Sequence, residues 1–239
     1  IFVISCLLIF VFRRTLIIYN CVADPAFTAS LLIIFPLRFT IYHTVAASEP
    51  LFLLYVCFSF IFFKTNQMLP LFLSIFGACI TRIEGLAIFG TIGLCYLFRL
   101  DIVRAFLVGL TISAPISLLL LHYIKFNDIF AYIHFNQNHQ GLIRFPPFHE
   151  IRGQFQGNNI VYLDSSLYLF LPFILGTIML YFISVPFAIF STVYVIYVSL
   201  LFHLDIFRYS LPGFIFAILV GFDSIISTPP FKRAIIILL

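Results

Sequence analysis

Charge is what this chain has least of. Asp, Glu, Lys and Arg make up 9% of its 239 residues, against 63% hydrophobic ones, and Phe alone occurs 33 times. So few charges cannot cover the exterior of a soluble fold of this length, which excludes a water-soluble globular domain. The apolar stretches are therefore expected to face lipid. A β-barrel is excluded as well, because runs such as 112–121 and 168–183 do not alternate polar with apolar residues. The composition predicts an all-α, polytopic transmembrane helical bundle.

Other absences narrow the function. The net charge is +4 with no basic stripe, so nucleic acid is not an expected partner. The five cysteines (Cys6, Cys21, Cys57, Cys79, Cys95) stand singly among apolar neighbours, without a Cys-x-x-Cys pair. That pattern predicts buried small residues rather than zinc or a disulfide framework. His134, His139 and His149 lack helical metal-ligand spacing. No cofactor motif is evident, and whether a divalent metal takes part stays open. No Asn-x-Ser/Thr acceptor and no internal repeat occur.

What is present is a series of apolar segments at about 1–12, 26–47, 50–63, 68–81, 85–98, 104–122, 166–184, 186–202 and 211–227, with a last fragment at 234–239. These predict eight to nine spans in one transmembrane domain over 1–239. The chain opens on Ile1 inside an apolar run ending at Arg13-Arg14. We read residues 1–12 as the tail of a span that begins upstream. Arg13-Arg14, Lys64, Arg99 with Arg104, and Lys232-Arg233 mark alternate segment ends and predict the cytosolic side. The opposite side then holds Glu49, the 81–85 island, the aromatic-rich segment 122–165 and residues 203–209. Segment 122–165 is expected to be an extracytoplasmic loop with interfacial helices, split by Pro146-Pro147.

Three polar islands interrupt the apolar runs. Ser48-Glu49-Pro50 has the form of a helix start, with Ser48 as cap and Glu49 at the positive helix end, and it is equally a candidate site. Thr81-Arg82-Ile83-Glu84-Gly85 predicts a break between two helices, where Arg82 and Glu84 either line a wet cavity or sit in a solvated turn. Asp205, Arg208 and Tyr209 fall at i, i+3 and i+4 on one helix face, with Pro212 removing a backbone donor four residues after Arg208. They form either a phosphate-binding face, through the planar fork of Arg208, or a surface ion pair before a kink. His203 is either an acid–base group or a polar tip. Asp128 either caps a short helix or contacts substrate.

These islands also carry a resemblance. The stretch from Phe35-Pro36 to Ser48-Glu49-Pro50-Leu51-Phe52 is similar to the Ser-Glu-x-Leu-Phe element of GT-C membrane glycosyltransferases, above all the PIG-V-like mannosyltransferases related to GPI-anchor assembly. Thr81-Arg82-Ile83-Glu84-Gly85-Leu86 resembles their Thr-Arg-x-x-Gly-Leu element, and Arg208-Tyr209-Ser210-Leu211-Pro212 their late Arg-Tyr-x-Leu-Pro helix. Asp128 to Phe135, with Gln137, is a fainter match to an acidic-aromatic loop. Ala47 stands where the pattern has Tyr.

The resemblance implies transfer of mannose or a similar hexose from a polyprenyl-phosphate donor to an extracytoplasmic or lumenal lipid or glycan acceptor. The membrane would be the plasma membrane in a prokaryote and the endoplasmic reticulum in a eukaryote. It implies that Glu49, Arg82, Glu84, Asp128, His203, Asp205, Arg208 and Tyr209 bind substrate or carrier. The general-base carboxylate of this class lies in a first extracytoplasmic loop, expected upstream of residue 1. Asp24, the only acid before Glu49, falls on the cytosolic side.

The competing reading is a secondary transporter of a small anionic solute, which places ionisable residues near the midplane of two related halves. A noncatalytic membrane subunit would instead show Gly-x-x-x-Gly faces, and none of the apolar segments carries one.

Overall fold

The computed structural model describes residues 2–35, 48–131, 134, 147, 160–201 and 206–238, with backbone alone at 160–168, 207 and 238. Its described elements are all helical. α1 (Phe2–Tyr19) leads into a short α2 (Pro25–Ser30) and a 3-10 turn (Leu31–Ile33). Then come α3 (Glu49–Lys64), α4 (Met68–Thr81), α5 (Gly85–Phe98) and α6 (Ile102–Gly109), joined by a 3-10 turn (Leu110–Ile112) to α7 (Ser113–Phe126). After these follow α8 (Ile160–Ile183), α9 (Val185–Leu200), α10 (Ile206–Leu219), α11 (Asp223–Ile226) and α12 (Pro229–Leu238).

Apolar side chains offer the backbone no outside partner, so its polar groups bond along the helix. Buried hydroxyls do the same. Thr15, Thr91 and Thr177 each donate to the carbonyl four residues back, at 2.9, 2.7 and 2.7 Å. α3 packs between α1 and α4, while α8, α9 and α10 form a second group that meets α5 through α9. Aromatic rings join the two groups: the fully buried Phe60 of α3 lies 4.8, 5.6 and 5.4 Å from the ring centres of Phe187, Phe190 and Phe216. Small residues recur every fourth position at Gly213, Ala217 and Gly221. A Cβ on Gly176 would overlap the Ala217 carbonyl, and one on Gly213 would overlap Tyr194. A small-residue face does exist, then, but it holds helices of this chain together.

Several boundaries differ from the sequence reading. α1 does not stop at Arg13-Arg14 but carries both, exposed, on to Tyr19. The 26–47 run breaks at the 3-10 turn after Ser30, and residues 36–47 lie outside the described residues. The 211–227 run is two helices, because α10 begins at Ile206, passes through Pro212 and ends at Leu219. The true stops are left-handed residues: Asn20, Asn66 and Asn127 follow α1, α3 and α7 with φ of 47°, 57° and 52°. Asparagine tolerates that region because its side chain bonds locally.

Leu100 adopts φ 57° and is exposed, so its strain has no packing to offset it. Leu100→Gly is therefore expected to raise stability by about 0.5–1 kcal/mol. Thermal unfolding in detergent checks this, and a lowered midpoint would refute it.

Among the described residues two helices are long and apolar enough to cross a membrane: α1, with 18 residues, and the continuous run Ile102–Phe126, with 25. The shorter apolar helices have 10–17 residues. They extend about 15–26 Å, short of a hydrocarbon core of about 30 Å, except that α8 counted from Ile160 has 24 residues and reaches about 36 Å. Large apolar side chains nevertheless face outward along most of them, including Leu73, Phe98, Phe182 and Ile196.

Candidate functional site

The charged islands meet in space. Glu49 opens α3, Arg82 and Glu84 lie in the link between α4 and α5, and Arg208 sits in the first turn of α10. Glu49 is 2% exposed, and its Oε1 accepts from Arg82 Nη1 at 2.6 Å and from Arg208 Nε. On its other edge Arg82 grips Glu84 with two bonds, Nη2 to Oε1 at 2.9 Å and Nε to Oε2 at 3.3 Å. The Tyr209 ring centre lies 5.9 Å from the Arg82 guanidinium.

Local sequence explains the arrangement. Arg82 leaves the helix with an extended backbone, and Gly85 lets the chain turn back against the last turn of α4. Arg82 and Glu84, two residues apart, cannot face one another on a helix, but across this link they do. Ser48 is not the side-chain cap that its position suggests. It has helical φ and ψ of −81° and −12°, caps nothing, and accepts from Arg82 Nη1 at 3.3 Å instead.

Arg82 and Arg208 thus belong to a charge-balanced cluster, with two carboxylates against two arginines. Buried guanidinium groups need such partners, since isolated charge in a low-dielectric interior is costly. The two arginines differ in exposure: the Arg82 side chain is 11% exposed and that of Arg208 is 40% exposed. Among the described residues no donor reaches Glu49 Oε2 or the buried hydroxyl of Tyr194.

A recess of about 560 Å³ opens beside the cluster. Ser48, Arg82, Glu84, Arg208 and Tyr209 form its polar wall, while Pro115, Leu118, Leu119, Ile129 and Phe130 form its apolar wall. At the far end of the helices Lys64 stands over the Tyr19 ring, Arg99 over Phe63, and Arg104 bonds Asn66 at 3.0 Å. The 16 residues of α3 separate the two ends by about 24 Å. Asp24 caps α2 and pairs with Lys232, and these two bonds hold its carboxyl below the usual carboxylate range.

Asp128 follows α7 and bonds His134 Nδ1 at 2.8 Å and the Phe130 N–H at 2.9 Å. Those two bonds, the histidine's first, keep its carboxyl below the usual range. His203 and Asp205 lie outside the described residues, as does most of the expected 122–165 loop. α7 reaches Phe126 and α8 begins at Ile160, so helices take over both ends of that loop.

The sequence reading missed the Ser48 hydroxyl as an Arg82 acceptor. It also missed α7 as the facing wall, because no polar residue marks Pro115, Leu118 or Leu119. Among the described residues no three His, Cys, Asp or Glu side chains converge as metal ligands. The cysteines are free thiols, four of them buried. The chain matches no family model, no curated protein and no solved structure.

Proposed function

We propose that the chain is a multi-pass membrane glycosyltransferase of the GT-C, PIG-V-like kind, transferring mannose or a similar hexose from a polyprenyl-phosphate donor to a lipid or glycan acceptor. The observation that carries this reading is Arg208 at the rim of a recess with one polar and one apolar wall. An isoprenoid tail needs an apolar surface, here Leu118, Leu119 and Phe130, and its phosphate needs a cation beside it. As the sugar–phosphate bond breaks, negative charge grows on the leaving phosphate, and a fixed guanidinium lowers the barrier.

Within this reading the residues divide by burial. Arg82, gripped by Glu49 and Glu84, is a strut that fixes the wall. Arg208, bound to Glu49 through Nε and partly exposed, is the phosphate partner. Glu49 and Glu84 hold the arginines in place. The outward apolar faces and the basic residues gathered about 24 Å away support a bundle set across a bilayer with this recess on the extracytoplasmic or lumenal side. A permease would bind its solute near the midplane, whereas these charges stand at helix ends.

The test is transfer of labelled hexose from polyprenyl phosphate by detergent-purified protein. Arg208→Ala is expected to slow transfer by about a hundredfold or more while the helical content stays unchanged. Solute uptake into proteoliposomes without such a donor, coupled with no transfer, would overturn the reading in favour of transport.

A further inference from the structure

The charges beside the recess cancel, with Glu49 and Glu84 opposing Arg82 and Arg208. A phosphate entering there brings negative charge that these four groups do not offset, and Glu84, on the same wall, repels it. The facing wall carries a further donor. Pro115, Leu118, Leu119 and His122 of α7 all line the recess, and their spacing of i, i+3, i+4 and i+7 places them on one helix face. His122 is the one polar side chain of the four. The other side of α7 is turned outward, with Ile116, Leu120 and Ile124 exposed. An imidazole turned inward from a helix so apolar on its outside marks a site, because polar groups among membrane helices are costly unless they are used.

His122 also stands at the right level. The run that ends in α7 starts at Ile102, beside the Arg104–Asn66 bond at the basic end of the bundle, so its later residues lie toward Glu49. Pro115 is about 10 Å deeper along the helix axis than His122. His122 therefore lies nearest the helix ends that carry Arg82 and Arg208, with the apolar part of its face below it. Its ring packs against Phe126 one turn on, with centres 6.2 Å apart, which limits its swing. Lys125, the other cation of α7, holds its ammonium over the Phe126 ring and does not line the recess.

We infer that His122 is a second phosphate ligand of this recess: the carrier's phosphate lies between Arg208 on one wall and the His122 imidazole on the other, with the tail along Leu119, Leu118 and Pro115. This rests on the transferase reading above and adds a head-group residue that none of the three polar islands contains. An imidazole offers an N–H in either protonation state and carries positive charge once protonated, so it meets a phosphate oxygen that the neutral cluster leaves unbalanced. The role is binding, not proton transfer. A contact made to the phosphate before and after the sugar leaves acts on KM for the donor more than on kcat.

The experiment measures binding of a short-chain polyprenyl phosphate, of the same polyprenol without phosphate, and of inorganic phosphate. It uses the detergent-purified full chain and its His122→Leu, His122→Phe and His122→Gln variants, with helical content as the check on folding. The unaltered protein is expected to prefer the lipid phosphate to both other ligands. Leucine or phenylalanine at 122 is expected to weaken the lipid phosphate by about tenfold to a hundredfold, the range for one hydrogen bond to a charged group, and to leave the alcohol unchanged. Glutamine keeps an N–H donor and is expected to recover part of the loss. Equal losses for phosphate and alcohol, or undiminished phosphate binding, would show that His122 only packs; that overturns this inference and leaves the transferase reading standing. Inorganic phosphate binding as tightly as the lipid phosphate, or alcohol binding as tightly in the unaltered protein, overturns both.

Discussion

Replacing Glu49 with alanine is expected to cost about 3–5 kcal/mol of stability, the range for breaking a buried ion pair from one side. Two terms oppose each other here. Burial disfavours a charged carboxylate, and its removal alone would be a gain. But Glu49 is the shared partner of two cations, and its loss leaves Arg82, 11% exposed, with carboxylate on one edge alone. The Arg208 side chain is already partly exposed, whereas that of Arg82 is nearly buried. The cost therefore falls mainly on Arg82, and Glu49→Ala combined with Arg82→Met should recover part of it. A coupling of about 1–3 kcal/mol in that double-mutant cycle is expected from thermal unfolding in detergent. Additive losses would show that the Glu49–Arg82 contact carries no such energy.

How much of this was legible beforehand depends on the interaction's range in the chain. All-helical structure follows from composition, because long apolar runs without alternation leave the backbone one economical solution. The break at 82–84 was readable from Gly85 and from two charges that no single helix face accommodates. Partner choice was not. Glu49 and Arg208 are 159 positions apart, and nothing local says that Arg208 binds Glu49. Helix ends were misread for a different reason. Arg13-Arg14 has the composition of a membrane edge, yet long arginine side chains extend outward while the helix beneath them continues. The stop was written in Asn20, as Asn66 and Asn127 are stops after α3 and α7. The small-residue face over Gly213, Ala217 and Gly221 does not show as Gly-x-x-x-Gly because Ala217 stands at its middle position.

Two glycines of α5 are expected to respond to alanine with opposite signs, and the larger response is at Gly85. Alanine normally favours a helix over glycine by about 1 kcal/mol. At Gly90 nothing lies within 4 Å of the new methyl, so Gly90→Ala should keep that gain. At Gly85 the methyl would fall 2.5 Å from the Cys79 Cα and N and 2.6 Å from the Ala78 carbonyl carbon. These are backbone atoms of the last turn of α4, and a hydrogen-bonded helix does not yield as a side chain does. The start of α5 must instead lift away, taking with it the link whose Arg82 N–H bonds Ala78 O at 3.0 Å and whose Arg82 carbonyl accepts from Gly85 N–H at 2.9 Å. Overpacking of this kind costs about 1–3 kcal/mol. The displacement also withdraws Arg82 from Glu49 and Glu84 from the recess. A shift of about 1 Å at a positioning group can cost about a hundredfold in rate. Gly85→Ala should therefore lower both the unfolding midpoint and the hexose transfer proposed above, the latter out of proportion to stability, while Gly90→Ala raises the midpoint and leaves that proposed activity unchanged. Equal responses at the two positions would mean that α5 does not approach α4 closely at Gly85, and the geometry that places Arg82 would have to be redrawn.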